Sequence, residues 1–295
     1  MVLGLCSCTQ IKLTSSLNDD TLAEIEGESV SSSEGIFRLM EVIESYGSSD
    51  EYFFERSVGD LTMEEYLKDS VEEEMVTLLC CSFIADDLAV YLTDEEIEDA
   101  HAQAEDSYNE ISLKYDVSAY DISLEDVETL YERQALYEKV YEELTGYVTM
   151  EISETDTKVI EVNFVLFPEG TDIETAEAFR EEVKNGKDLS EACEEAGYTV
   201  YTNITLKKGD MVDAFENVAF ALSDGELSEC TETVDGIYLI ECVEDYLEAE
   251  SAANYNSVIA EAKDEVFEET YNEFTQTVEL KFNTEFWDEI DVTAL

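Results

Sequence analysis

The chain has 295 residues and carries 75 acidic against 15 basic side chains, for a formal net charge of −60. A field of that sign repels phosphate backbones and anionic headgroups, which excludes nucleic acid as a partner and electrostatic docking on a membrane. With 44 % hydrophobic residues spread along it, the chain has material for the cores of two ordinary domains rather than for a disordered segment.

The first eight residues are apolar and end in Leu5-Cys6-Ser7-Cys8. They resemble the end of a bacterial lipoprotein signal, which implies lipidation at Cys8 and a mature protein held on the outer face of a membrane by that anchor. No basic segment precedes the run, and it is shorter than the roughly 7 to 15 residues of a working signal core, so a truncated or mis-started N-terminus is expected. The alternative is a plain tail carrying two cysteines. No other stretch is apolar for the ~18 residues that would span a bilayer.

A polar linker is expected over 9–20. Leu22 to Val30 then alternates and turns at Gly27 as a short hairpin. Ser31 with Glu34 has capping-box spacing ahead of Ile36, Leu39, Met40 and Ile43, the stripe of a helix. Thr62 with Glu65 opens a long helix running to Leu88, Thr93 with Glu96 a second, and Ser123 a third that ends at Gly146. These helices read as an antiparallel helical domain over 21–157. His101, the only histidine, lies between Glu98 and Glu105 on the second of them and reads as a solvated residue paired with glutamate.

From Val159 to Phe167 the period changes to that of a strand, which ends at Pro168, the only proline. Thr171 with Glu174 caps a helix stopping at Asn185-Gly186, a shorter helix follows around Leu189 and Cys193, and Tyr198 to Leu206 is a strand. After Gly209, the residues Met211, Val212, Phe215, Val218, Ala219 and Leu222 fall at helical spacing until Asp224-Gly225. Gly236 to Val243 is a last strand. A final helix from Ala249 to about Thr277 carries a long apolar stripe that needs a partner surface. Val278, Leu280 and Phe282 alternate behind it, and the chain closes on Phe286-Trp287-Asp288-Glu289-Ile290.

The runs Gly209-Asp210-Met211, Phe215-Glu216-Asn217-Val218-Ala219-Phe220 and Gly225-Glu226-Leu227-Ser228 resemble, in order and spacing, the signature of the parvulin peptidyl-prolyl isomerases, as carried by extracytoplasmic foldases of the PrsA and SurA type. The Ile25, Gly27, Val30 and Glu34 entry, Thr93 to Glu96, and Ile122-Ser123 with Glu125 and Val127 are similar to the helical region of those foldases. The fold implied is α+β: a discontinuous all-α chaperone-like domain with an inserted small parvulin-like α/β domain, mainly an antiparallel sheet, over 158–246. Residues 247–295 return to complete the helical domain.

Prolyl isomerisation needs an apolar grip on the ring and polar groups that favour the twisted amide, and no cofactor. Met211, Phe215 and Phe220 match the family's proline-pocket positions. Its two histidine positions are occupied by Phe164 and Tyr238, so no catalytic residue is assigned. The loop from Tyr198 to Thr205 is shortened and holds neither acid nor a glycine pair, which leaves Tyr238, Thr202 and Thr205 as candidate donors. The resemblance implies an extracytoplasmic folding factor acting on unfolded or proline-containing polypeptides, with its isomerase activity weak or lost. The alternatives are a non-catalytic holdase and an acidic scaffolding surface lipoprotein. None of the seven cysteines has zinc spacing, no loop has the ligand pattern of an EF-hand, and Cys193, Cys230 and Cys242 read as small apolar residues.

Overall fold

The computed structural model describes residues 11–13, 17–18, 20–47, 51–150, 152–283 and 285–295. The tract 1–8, with Cys8, lies outside them. The chain divides into two compact units, one made of Met1–Gly146 with Glu265–Leu295 and the other of Tyr147–Asp264. The lines drawn from sequence alone were at 157/158 and 246/247.

The first unit opens with strand β1 (Ile11–Leu13), so part of the expected linker is a strand. A hairpin follows, β2 (Thr21–Ile25) and β3 (Glu28–Ser31), antiparallel with Ile25 opposite Glu28. Its two-residue turn has positive φ at both Glu26 (51°) and Gly27 (95°), the twist that matches the flanking strands. Ser31 ends β3 and caps α1 (Ser32–Ser45): its Oγ accepts from the Glu34 amide at 3.1 Å, while the Glu34 carboxylate accepts from the Ser31 amide at 2.7 Å. A single turn α2 (Glu51–Phe54) and a two-stranded ribbon, β4 (Ser57–Val58) with β5 (Leu61–Thr62), lead into α3 (Met63–Leu88). Helices α4 (Asp94–Ile111) and α5 (Leu124–Thr145) follow. The same reciprocal cap opens α3 at Thr62, α4 at Thr93 and α5 at Ser123, where Asp126 takes the part that glutamate plays elsewhere.

In the second unit a turn of helix α6 (Glu154–Thr157) precedes β6 (Ile160–Leu166), α7 (Ile173–Lys184), α8 (Leu189–Ala196), β7 (Val200–Leu206), α9 (Asp213–Ala219), β8 (Thr231–Thr233) and β9 (Gly236–Glu244). The cap of α7 is Asp172 rather than Thr171. A carboxylate one residue on accepts from the Thr175 amide at 2.7 Å, and the Thr171 hydroxyl is used in the preceding turn, donating to the Pro168 carbonyl. The four strands form one antiparallel sheet in the order β7-β6-β9-β8. Both faces are covered. Val162, Phe164, Tyr238, Ile240 and Cys242 pack under α9, and Val165, Phe167, Ile237 and Leu239 pack under α7 and α8.

Helix α10 (Glu248–Thr275) runs from the second unit into the first, and β10 (Leu280–Phe282) follows it. In the first unit β10 pairs antiparallel with β2 and parallel with β1, giving a sheet in the order β1-β10-β2-β3. The end of α10 supplies Phe274, stacked on Phe83 at 5.9 Å, and Phe267, edge-on to Tyr137 at 5.4 Å. The partner surface that its stripe requires is therefore α3 and α5. Beyond β10, Trp287 lies over Gly35 in the core, and Lys68 Nζ donates to the Trp287 and Ile290 carbonyls at 3.0 and 2.7 Å. His101 is bonded to Glu132 of α5 at 2.5 Å, not to its own helix neighbours, because α4 and α5 pack side by side.

Candidate peptide-binding site

The helix α9 is too short to hold itself and is fixed by side chain to backbone bonds at both ends. Gly209 has φ +94°, a conformation open to glycine, and the chain there doubles back toward α9. One carboxylate oxygen of Glu216 accepts from the amides of both Gly209 and Met211, at 2.8 and 2.9 Å. Past the helix, the Glu226 carboxylate accepts from the Ser223 amide at 3.0 Å. The Glu226 carbonyl accepts from Cys242 and the Ser228 Oγ from the Ile240 amide, each at 2.9 Å, which sews the turn along β9. Glu216, Glu226 and Ser228 of the signature are thus committed to backbone, and what they secure is the position of Phe215.

Phe215 points into the sheet and has no exposed surface. Its ring meets Phe164 edge-on at 5.3 Å and Tyr238 edge-on at 5.0 Å, and those two rings lie 5.8 Å apart. Tyr201, on the edge strand β7 directly opposite Phe164, stacks on it at 4.8 Å with planes 17° apart while remaining 45 % exposed. The space over Phe215 is filled by the side chains of Phe164 and Tyr238. Sequence reasoning missed Tyr201, although the pairing of β6 with β7 puts it across from a position already singled out.

Met211 is half-buried and packs on this ring cluster, as does Phe220 at the C-cap of α9. Phe220 makes no ring contact with Phe215; it lines a shallow hollow of about 440 Å³ with Lys208, Asp213 and Glu216. Of the candidate donors, Tyr238 is 5 % exposed, and burial, with Asp235 and Tyr201 nearby, raises its hydroxyl above the usual tyrosine range and keeps it protonated. Thr202 and Thr205 are exposed on β7. The shortened loop is a bulged strand: Asn203 (φ 54°) donates its amide to the Asn163 side chain at 2.9 Å and its Nδ2 to Glu161 at 2.8 Å.

Cys193, Cys230 and Cys242 are free thiols, half-buried at Cys230 and buried at the other two. Burial raises them to about 11, 12 and 11, so they stay protonated and unreactive. Cys80 and Cys81 are buried and free as well. Among the described residues no group of His, Cys, Asp or Glu could hold a metal ion, and no helix is long and apolar enough to cross a membrane.

A four-stranded antiparallel sheet with a fixed short helix on one face and two on the other, set within an α-rich chain, makes this an α+β protein. The chain is similar to the foldase PrsA of Oceanobacillus iheyensis, with 24 % identity over 276 residues, covering 81 % of this chain and 86 % of that one. A match of that length includes parts of both units. Among solved structures it is similar to the peptidylprolyl isomerase PrsA of Bacillus cereus, at 18 % identity with 88 % of this chain and 90 % of that one covered and a TM-score of 0.30. It is also similar to the parvulin NmPin of Nitrosopumilus maritimus, at 24 % identity over 29 % of this chain and 95 % of that one, with a TM-score of 0.23. No protein-family model matches the chain. The sequence match agrees with the resemblance to PrsA-type foldases read from the residues.

Proposed function

We propose that the chain is an extracytoplasmic protein-folding factor of the PrsA and SurA type, which binds unfolded polypeptides and carries a parvulin-like domain with weak or lost prolyl isomerase activity. The observation that carries the last part is the ring cluster: Phe215 is fully buried beneath Phe164 and Tyr238, at the positions that the family gives to histidine. Met211 and Phe220, each half-buried, remain as apolar contacts for a polypeptide segment. Lipidation at Cys8 is the finer part of the proposal, and it rests on Leu5-Cys6-Ser7-Cys8 alone. It predicts a Cys8-linked diacylglycerol by mass spectrometry, lost in Cys8→Ala.

A proline-limited refolding assay and an aggregation assay on one unfolded client test the function together. The expected result is suppressed aggregation at stoichiometric concentration with little acceleration of the slow refolding phase. Strong acceleration overturns the weak-isomerase reading. Absence of both effects overturns the folding-factor reading and leaves the acidic scaffold.

A further inference from the structure

A groove of about 560 Å³ opens in the first unit between α1, α3 and α5. Three tyrosines contribute to its walls: Tyr46, which is 48 % exposed, Tyr66 and Tyr137. The charged residues of the lining do not balance. Its one cation, Arg38, is held by Glu74, with Nε at 2.9 Å from both carboxylate oxygens, and by Glu41 at 3.1 Å. Glu74 is thereby neutralised. The carboxylates of Glu73 and Glu138 line the same groove with no ion pair among the described residues.

An aromatic wall beside unneutralised carboxylates has a specific complement. A lysine or arginine side chain lays its aliphatic stem on the rings, offers its charge to their faces and reaches carboxylate with its head. Glu73 shows the opposite condition in the free protein: partial burial, with Asp69 nearby, holds its carboxyl above the usual range. An arriving cation relieves that cost, whereas an arriving anion or a purely apolar residue does not.

We propose that this groove is a subsite for a single cationic side chain, lysine or arginine, of an extended polypeptide. The inference rests on the folding-factor reading and adds to it a selection among clients: the helical unit takes unfolded segments that carry an isolated basic residue among apolar ones. The overall charge of −60 draws basic chains toward the surface, and the groove gives one residue a place to dock.

The experiment uses the full chain and two labelled ten-residue peptides of Gly, Ser and Leu that differ only in a central arginine or its neutral isostere citrulline. The arginine peptide is expected to bind about fivefold more tightly. The preference is expected to vanish in Glu73→Gln/Glu138→Gln and to persist in Glu98→Gln/Glu105→Gln, an equal charge change on the exposed face of α4. Equal binding of the two peptides by the unaltered chain, or a preference that survives the groove substitutions, overturns the subsite. So does a preference lost equally in both double variants, since the general field then suffices. Aggregation of an unfolded client measured alongside separates the two readings. Suppression without arginine preference removes only the subsite, and arginine preference without suppression removes the folding-factor reading.

Discussion

The ring of Phe215 stands edge-on to that of Tyr238, with centroids 5.0 Å apart and planes 82° apart, and it has no surface left for solvent. An aromatic pair in this geometry is a packing contact, so Phe215 belongs to the core of the second unit. Phe215→Ala is expected to destabilise that unit by roughly 3–5 kcal/mol in urea unfolding. Loss of any residual isomerase activity in that variant would then report unfolding, and Tyr201→Ala, at a half-exposed ring, is the cleaner probe of access. It is expected to leave stability within about 1 kcal/mol.

Glu216 holds two amides with one oxygen, and its removal releases both. Glu216→Ala is expected to cost about 1–3 kcal/mol and to speed hydrogen exchange at Gly209 and Met211 ahead of the sheet amides. Unchanged exchange at those two amides would show that the approach to α9 is held by something else.

Glu72 of α3 is half-buried near Asp69, Glu73 and the indole of Trp287, and burial, the largest cause, pushes its carboxyl up to about 7. The indole Nε1 is buried with no other hydrogen-bond partner among the described residues, and its nearness to that carboxyl works against the rise. A carboxyl that holds its proton more tightly when folded than when unfolded makes the native state the greater proton binder, so stability falls as pH rises from about 4.5 to about 7. Glu72→Gln is expected to flatten that decline and to add about 1–2 kcal/mol at pH 8, read from denaturation midpoints across pH. A decline of equal slope in the variant would assign it to other groups.

Arg133 of α5 donates to the Glu34 carboxylate at 3.0 Å and to the Ser29 carbonyl at 2.8 Å, while Glu34 also closes the cap of α1. The Glu34 side chain is 5 % exposed, so it cannot recover its lost partner from water. Arg133→Met is expected to cost roughly 2–4 kcal/mol, and adding Glu34→Gln to return part of it, since an unpaired buried charge is then gone. Additive losses in the double variant would contradict this.

The elements most legible in the sequence were those that announce themselves locally. The Ser31, Thr62, Thr93 and Ser123 caps each lie next to the residue three positions on that completes them, and the structure forms all four. Glycines at turns were equally plain. What escaped was set by contacts distant in sequence. β1 is three residues long, too short for its alternation to stand out, and pairs with β10, some 270 residues later. β8 is three residues long and is held by β9. At the candidate site, Met211, Phe215 and Phe220 were picked out together, but the structure buries one among rings and leaves the others at its margin. Local spacing places a side chain on a helix; the strand register opposite decides whether the space above it is open.

The pairing of β10 with both β1 and β2 also orders events in time. A ribosome delivers β2, β3 and the helices up to α5 long before it delivers the strand that lies between β1 and β2 or the aromatic end of α10 that covers α3 and α5. The second unit, by contrast, is contiguous and has all of its strands once Glu244 has emerged. The inserted unit is therefore free to fold while its host still waits for its last thirty or so residues, and until then the host displays the apolar flanks of α3 and α5 to its surroundings.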